Sequence, residues 1–297
     1  MRPKIVFFGT SLFGQIVLQK LLDKDFEVVA GVTQPDRPAG REGQLVPSPV
    51  KTLAKEYKIK IFTPENKLEL FAISPKLLAK KAALFVVASY GLIIPAETLA
   101  IPARGALNVH PSLLPKYRGA SPIQAAILAG DLETGVTIML MDEQMDHGPI
   151  LAQERIALAP AETTPSATVK LANLGAELLI RTIPPYLFGK ITPLPQDHSQ
   201  ATYTKLITKE DGHINWEQNN AQIERMLRAY HPWPGVWTTV GEMAIQLDRE
   251  LRDPRKQNLR LKILQAHLEN DTLSLDSIQV EGKSPIKFAD FSKGYLS

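Results

Sequence analysis

Short apolar runs, each ended by glycine, proline or a polar cluster, constrain the fold of this chain more than any other feature. Continuous apolar runs of this kind are typical of strands that are buried on both faces. They occur at "KIVFF", "FEVVAGV", "AALFVVAS", "GALNVH" and "TGVTIMLM". Helical patterns such as "SLFGQIVLQKLL" and "VKTLAKEY" lie between them. Because strands that alternate with helices form parallel sheets, we predict a mostly parallel, doubly wound α/β fold.

The pattern changes in the C-terminal third of the chain. Residues 163–189 are typical of one long amphipathic helix, which Pro184 and Pro185 should stop or kink. Residues 190–208 are rich in proline and polar residues and indicate a linker. Beyond them we expect about five short antiparallel strands in a partly open barrel, at "GVWTTV", "AIQLD", "LKILQA", "LSLD" and "IQV". The predicted domains are therefore residues 1–189 and 209–297.

Composition excludes several classes of protein. The 297 residues contain no cysteine, which rules out disulfides, thiolate nucleophiles and sulfur-based zinc sites. The six histidines are scattered without metal-ligand spacing, so we expect no metal. No apolar run reaches the ~18 residues of a membrane helix, and the apolar run in "MRPKIVFFGT" is too short for a signal peptide. We expect a soluble, cytoplasmic protein that is a monomer.

Two segments rich in glycine or proline follow the first two predicted strands. Residues 9–14, "GTSLFG", lack both the Lys–Ser/Thr of a phosphate loop and the glycine spacing of a dinucleotide site. Close packing of helix against strand explains those glycines better. Residues 33–51 form a long loop at the sheet edge where ligands bind. Its Arg37 and Arg41 could clamp a phosphate, and the alternative is a mobile surface loop.

The stretch "NVHPSLLPKYRG" carries the first candidate for chemistry. Asn108 and His110 lie at the end of a predicted buried strand. They are two residues apart, so their side chains share one face of the sheet. Pro111 favours an extended backbone at His110. We therefore expect an amide and an imidazole in the crevice where open α/β sheets bind ligands, although a lone histidine can also be a satisfied core residue.

Acidic side chains follow the next predicted strand. Asp142 and Asp146 lie in "MDEQMDHGPI", and either could reach His110 if that strand is adjacent. Amide and imidazole N–H groups stabilise an oxyanion, while a carboxylate orients the imidazole and helps to move a proton. This combination favours acyl transfer to an attacking amine, without a nucleophile supplied by the protein.

A local basic segment lies in the second predicted domain. Residues 249–262, "RELRDPRKQNLRLK", hold six cations and two anions in a chain whose net charge is only +3. Arg252, Arg255 and Lys256 are candidates for contacts with nucleic-acid phosphates. The alternative is an ordinary solvated loop.

Residues 107–151, from "LNVHPSLLP" to "MDEQMDHGPIL", resemble the core of the folate-dependent formyltransferases. The resemblance implies a Rossmann-like domain, a linker and an OB-like β-barrel domain. It implies that Asn108, His110 and Asp146 are catalytic and that 10-formyltetrahydrofolate is the co-substrate, with no metal and no nucleotide cofactor. Segments predicted by the same resemblance to line the folate contain Tyr90, Gly91, Ser112, Leu113, Leu114 and Pro115.

Other segments resemble the members of this family that formylate initiator methionyl-tRNA, and the resemblance runs over nearly the whole chain. They include "TQPDRPAGR", "TYTKLITKEDGHINW" and "RAYHPWPGVWT". The resemblance implies that the loop of Arg37 and Arg41 and the C-terminal domain contact the tRNA. One departure is Gln144, which stands where the family usually has glycine and could alter the loop that aims Asp146.

Three alternative functions stay open at this point. A formyltransferase acting on a sugar nucleotide or a purine precursor would keep Asn108, His110 and Asp146 without needing the basic segment. A dinucleotide oxidoreductase would need the fingerprint glycines that residues 9–14 lack. A non-catalytic nucleic-acid-binding protein could use an OB-like domain, but it would leave the three polar residues unexplained.

Overall fold

The computed structural model describes residues 3–39 and 43–297. The chain divides into two compact units. The first unit consists of Met1–Pro122, Glu133–Ala157 and Ser166–Lys205, and the second of Ile123–Leu132, Leu158–Pro165 and Leu206–Ser297. The chain thus passes between the units several times. The domain boundaries at residues 189 and 208 stay a prediction.

The first unit is built on a mixed, mainly parallel sheet. The strands of this unit are β1 (Lys4–Gly9), β2 (Glu27–Val32), β3 (Arg37–Ala39), β4 (Gln44–Val46), β5 (Ile61–Phe62), β6 (Leu84–Ala88), β7 (Ala106–His110), β8 (Arg118–Gly119), β9 (Glu133–Leu140), β10 (Ile150–Ala157) and β11 (Tyr203–Thr204). Seven of them form one sheet in the order β10-β9-β7-β6-β1-β2-β5. The pairs among β7, β6, β1, β2 and β5 are parallel, and β9 is antiparallel to both of its neighbours. The predicted Rossmann-like fold is confirmed.

Ten α-helices are described along the chain. They are α1 (Leu12–Asp23), α2 (Pro49–Glu56), α3 (Lys67–Ala72), α4 (Ser74–Leu78), α5 (Ala96–Leu99), α6 (Pro122–Ala129), α7 (Thr164–Leu187), α8 (Asn220–Ala229), α9 (Val240–Gln246) and α10 (Phe288–Tyr295). Side-chain caps explain several starting points: Ser48, for example, accepts a hydrogen bond from the Lys51 N–H, and Pro49 follows it at the first helical position. None of the helices in the described ranges is long and apolar enough to span a bilayer.

Every residue of β6 and β7 is buried, as their continuous apolar sequence predicts. The glycines of "GTSLFG" serve the packing between α1 and this sheet. A Cβ atom at Gly9 would lie 2.9 Å from the Ala88 carbonyl oxygen, and one at Gly14 would lie 2.6 Å from the same atom. Both glycines therefore allow helix and strand to approach closely.

Helix α7 corrects the expectation for Pro184 and Pro185. Both prolines lie inside the helix, which ends at Leu187. The two prolines lack the N–H groups that would bond to the carbonyls one turn earlier, yet the last turn still closes. The Phe188 N–H donates to the Pro184 carbonyl and the Lys190 N–H to the Pro185 carbonyl. Gly189, with φ +70, ends the helix in the left-handed conformation typical of a C-terminal cap.

The second unit contains a smaller, antiparallel sheet, as predicted. Its strands are β12 (Val236–Thr239), β13 (Arg260–Glu269), β14 (Thr272–Val280) and β15 (Ile286–Lys287), and each pairs with the next. The five predicted segments account for only three of the four described strands of this sheet, since β15 was not predicted. "LSLD" and "IQV" belong to the single strand β14, and "AIQLD" lies largely in α9.

A capping box explains why α9 is a helix. The Glu242 N–H donates to the Thr239 side chain, while a Glu242 carboxylate oxygen accepts from the Thr239 N–H. Burial alone would raise the pKa of this carboxyl, but hydrogen bonds from His213, the Thr239 N–H and Thr238 lower it to about 2. The cap makes the following residues helical in spite of their alternating polarity.

Candidate active site

Strand β7 carries Asn108 and His110 into the interior of the first unit. The two residues are 9% and 4% exposed. Leu107 and Val109 alternate with them and are also buried, so both faces of the strand are covered. The strand therefore holds an amide and an imidazole on one face, as their two-residue spacing predicts.

Asp146 joins these two side chains. The Asn108 Nδ2 donates to Oδ1 of Asp146 at 3.2 Å, and the His110 Nδ1 lies 3.5 Å from the same oxygen. The other carboxylate oxygen accepts from the Gly119 N–H at 2.8 Å. The Asp146 side chain is only 12% exposed. The three residues that the sequence singled out for catalysis are thus in mutual contact.

The loop of residues 141–149 brings Asp146 to this position. Because β9 is antiparallel to β7, its last residue, Leu140, pairs with Leu107, and the loop then leads to Asp146. Asp146 itself adopts a left-handed backbone conformation, with φ +50. Aspartate tolerates this region better than most residues do. Gln144 is not among the residues with positive φ, and its N–H donates to Asp142 Oδ1 at 2.9 Å, so the departure at this position introduces no strain.

Asp142, the other candidate carboxylate, has a different partner. Its Oδ2 lies 2.6 Å from Nδ1 of His147. The His147 ring stacks on His198 with ring centres 4.0 Å apart. Asp142 therefore belongs to a neighbouring polar cluster, and Asp146 is the carboxylate that faces His110.

The second ring nitrogen of His110 is held by the backbone. Nε2 lies 2.9 Å from the Tyr117 carbonyl oxygen. A carbonyl oxygen can only accept, so Nε2 carries a proton. The Nδ1 atom is then the nitrogen that faces Asp146. Tyr117 has φ +61, which turns its carbonyl toward the imidazole side of the loop.

The predicted folate segment at residues 112–115 is tied to the fold through its own polar atoms. Ser112 is fully buried, and its hydroxyl donates to the Lys116 carbonyl at 2.6 Å. The Leu114 N–H donates to the Thr137 Oγ1, and Leu114 is also buried. Leu113 and Pro115 are partly exposed. Along this segment, buried residues (Ser112 and Leu114) therefore alternate with partly exposed ones (Leu113 and Pro115).

The predicted segment at Tyr90 and Gly91 shows a similar division. Tyr90 is 2% exposed, its ring packs edge-on against Phe8, and burial raises its pKa. Its carbonyl accepts from the Thr10 Oγ1 and the Gln34 Nε2. Gly91 is exposed with φ +87, and a Cβ atom there would lie 2.4 Å from Gln34. The main chain at Gly91 is therefore the accessible part of this segment.

Among the predicted phosphate contacts that the structure describes, Arg37, Arg252 and Arg255 are exposed and Lys256 is partly exposed. Arg37 starts β3 and donates through Nη2 to Gln34 Oε1 at 2.6 Å, and Arg41 lies outside the described residues. In the second unit, the Arg252 Nε donates to the Leu296 carbonyl. Arg255 and Lys256 both lie near the Asp253 carboxylate, at 2.9 and 3.8 Å. Arg37, Arg255 and Lys256 thus have partners within their own segments, whereas the partner of Arg252 lies 44 residues away.

Three residues of the site were not identified from sequence. Gly119 binds the Asp146 carboxylate, Tyr117 binds His110, and Gln196 donates to the Asp146 carbonyl oxygen. Gly119 and Tyr117 act through main-chain atoms. The only sequence feature that could have indicated them is the unexplained polar run that follows "HPSLLP". Gln196 lies in the predicted linker, where nothing in the local pattern indicates a role. Within the described parts of the chain, no three His, Cys, Asp or Glu side chains form a group suited to a metal.

Two family models match this chain. Residues 3–183 match the model described as formyl transferase, and residues 206–296 match the formyl transferase C-terminal domain. The chain belongs to the formyl transferase family. Asn108, His110 and Asp146 all lie within the first matched region.

Members of the formyl transferase family that resemble this chain cover almost all of it. The methionyl-tRNA formyltransferase of Roseiflexus castenholzii is 43% identical and is matched over 99% of this chain and 96% of its own length. The enzyme of the same name from Dehalococcoides mccartyi, strain CBDB1, is 39% identical over 98% and 95%. A solved sugar 3N-formyl transferase, crystallised with dTDP and 5-N-formyl-THF, shares the fold with a TM-score of 0.63 at 18% identity, covering 100% of this chain and 96% of its own.

Proposed function

We propose that this chain transfers a formyl group from 10-formyltetrahydrofolate to the amino group of the methionine on initiator methionyl-tRNA. The observation that carries the proposal is the contact of Asn108 and His110 with Asp146 at 3.2 and 3.5 Å, in a chain whose relatives are named methionyl-tRNA formyltransferases. The amino nitrogen bonds to the formyl carbon, the bond from that carbon to the folate nitrogen breaks, and the proton that the amine loses is balanced by one gained at the folate nitrogen.

Asn108 donates a hydrogen bond to the oxyanion that develops on the formyl oxygen, and His110 stabilises the same oxyanion through the positive charge that its ring carries once Nδ1 takes up a proton. Asn108 has two amide N–H groups, of which one donates to Asp146, and the other is assigned to the oxyanion. His110 holds one proton at Nε2 against the Tyr117 carbonyl, so Nδ1 is the nitrogen that can exchange a proton on the Asp146 side. Donors that are fixed before the reaction need no reorganisation when charge develops, and this is the main advantage of such a site.

Asp146 orients His110 and stabilises the positive charge that forms on the His110 ring as the amine loses its proton. Both of its oxygens already accept hydrogen bonds, from Asn108 and from the Gly119 N–H. These two bonds fix the direction of the Asp146 carboxylate. A carboxylate beside the imidazole is suited to general-base assistance, because it stabilises the imidazolium that forms when Nδ1 takes up a proton.

The predicted folate contacts divide into exposed and supporting residues. Gly91, Leu113 and Pro115 are at least partly exposed and are assigned direct contact with the folate. Ser112, Leu114 and Tyr90 are buried, and their polar main-chain or hydroxyl atoms are engaged within the protein. We assign these three residues a supporting role, in which they hold the main chain of the two segments in place. The folate supplies the activated formyl group when bound.

Phosphates of the tRNA are assigned to the predicted basic residues. Arg37 retains guanidinium N–H groups beyond the one bonded to Gln34, and a bidentate contact needs only two. Arg255 is highly exposed and Lys256 partly so, which leaves both accessible to a polyanion. Arg41 and Arg252 complete the proposed set. The monomeric state and the cytoplasmic location stay predictions.

The test is competition between amine acceptors. The protein is given labelled 10-formyltetrahydrofolate with charged initiator tRNA, an amino-sugar nucleotide or a purine-precursor amine. We expect transfer to the tRNA at a kcat/KM at least ~1,000-fold above the small amines, since only the tRNA engages both units. Equal or faster transfer to a small amine would overturn the assignment of substrate, and absence of transfer to all three would overturn the assignment of reaction.

A further inference from the structure

We propose that Gln196 is a positioning residue, which fixes the main chain of Asp146 and thereby aims the Asp146 carboxylate at Asn108 and His110. This inference rests on the proposed function of Asp146. Gln196 is 5% exposed, although it lies in a segment whose sequence is typical of a linker. It and all of its partners below belong to the first unit.

The amide nitrogen of Gln196 bonds to two carbonyls of the loop that carries Asp146. Nε2 donates to the Asp146 carbonyl oxygen at 2.9 Å and to the Gly148 carbonyl oxygen at 2.7 Å. Both N–H groups of the amide are therefore used, one on each carbonyl. One bond is to the carbonyl of Asp146 itself, the residue with φ +50, and the two bonds together bracket His147.

Arg118 fixes the orientation of this amide. The Gln196 Oε1 accepts from the Arg118 Nε at 3.3 Å and Nη2 at 2.7 Å. A guanidinium can only donate, so the amide oxygen must face Arg118 and the NH₂ group must face the two carbonyls. Arg118 is itself 1% exposed and also donates to the Tyr203 hydroxyl and to Nδ1 of His198.

The neighbours of Arg118 contact the catalytic groups directly. The Tyr117 carbonyl accepts from the His110 Nε2, and the Gly119 N–H donates to the Asp146 Oδ2. Asp146 is thus held at both ends: its carboxylate by Gly119 and Asn108, and its carbonyl by Gln196. The Arg118 side chain joins the two ends through Gln196. This arrangement explains why Gln196 is buried while its neighbours in the predicted linker, Pro195 and Asp197, are exposed.

Replacing Gln196 by glutamate tests one half of these contacts selectively. Gln196→Glu keeps an oxygen for Arg118 and adds an ion pair, but it places a second acceptor against the Asp146 and Gly148 carbonyls. We expect kcat to fall ~100-fold, because a displacement of about 1 Å at a reacting centre can lower the rate by that factor. KM for the tRNA and for the folate should change less than ~3-fold. Lower pH should restore part of kcat, because the protonated carboxyl can donate again.

Controls separate this role from a general loss of structure. Gln200→Glu introduces the same charge at an exposed position four residues away and should leave kcat unchanged. Gln196→Asn keeps the amide but shortens the side chain by one methylene, and it should lower kcat by a smaller factor than Gln196→Glu. If both Gln196 variants keep normal kcat, the positioning role is overturned.

A double-mutant cycle distinguishes this inference from the proposed function. If Gln196 acts through the Asp146 carboxylate, Gln196→Glu should cost nothing further in single-turnover rate when Asp146→Asn is already present. An equal cost in both backgrounds would contradict the inference and leave the proposed function intact. Normal turnover of Asp146→Asn alone would instead overturn the role proposed for Asp146.

Discussion

Asn108 and His110 in the first unit are almost completely buried, whereas the side chain of Arg255 in the second unit is 90% exposed. The buried pair is held by Asp146, which lies 38 residues beyond Asn108 along the chain, and by the Tyr117 carbonyl. Arg255 is held by Asp253, two residues away. Buried, pre-oriented groups lose most when one partner is removed, while exposed ion pairs contribute little individually. The comparison therefore predicts large, specific effects at the site and small, salt-dependent effects at the basic segment.

Asn108→Ala should give the largest effect. The substitution removes the amide donor assigned to the oxyanion and one partner of Asp146, and loss of one such donor typically costs roughly 2.7–4 kcal/mol of barrier. We expect kcat to fall ~100-fold or more, with far-ultraviolet circular dichroism unchanged. The measurement is steady-state formylation of charged initiator tRNA, and near-normal turnover would remove Asn108 from this role.

Gly119→Ala tests the main-chain part of the site. Gly119 has φ +107, and a Cβ atom there would lie 2.4 Å from the Thr204 carbonyl oxygen. We expect a destabilisation of roughly 1–3 kcal/mol beyond the cost of the positive φ alone, because the added atom overlaps the Thr204 carbonyl, together with a fall in kcat because the N–H that binds Asp146 moves. Gly282→Ala is the matched control, since its φ is +74 but nothing lies within 4 Å of the added atom. Urea denaturation of both variants checks the difference, and equal costs would refute the close-approach argument.

Charge reversal in the basic segment should give the smallest effect. Arg255→Glu and Lys256→Glu are made together, while Arg252 is kept because its Nε donates to the Leu296 carbonyl. We expect kcat to be unchanged and KM for tRNA to depend less steeply on salt. The slope of log KM against log salt concentration should fall by about 0.9 for each phosphate that the protein no longer neutralises. Lys283→Glu, at another exposed lysine, serves as the control. An unchanged slope would show that this segment does not bind the tRNA.

Local patterns were enough to predict much of the fold and part of the site. The continuous apolar sequence of β7 and the two-residue spacing of Asn108 and His110 correctly placed both side chains on one face of a buried strand. The glycines at positions 9 and 14 were correctly attributed to packing. In each case the deciding interactions are short-range or follow from strand periodicity.

The predictions that failed had two causes: one local signal that was overlooked, and contacts between residues that are distant in sequence. Alternation in "AIQLD" predicted a strand, but the capping box at Thr239 and Glu242 starts a helix there. The direction of β9 depends on its pairing with β7 and β10, so the path to Asp146 was not predictable from its own residues. Gln196 lies 50 residues from Asp146 along the chain, and no local pattern indicates that contact.

Residues 117–119 have a consequence for how this loop can be altered. One carbonyl, one guanidinium and one N–H on three successive residues meet His110, Gln196 and Asp146. Inserting or deleting a single residue there would displace all three groups together. Surface loops generally tolerate changes in length, but we expect that this loop does not. Loop grafting or insertion of a tag is better directed to turns such as the one at Gly282, where an added Cβ atom would meet open space.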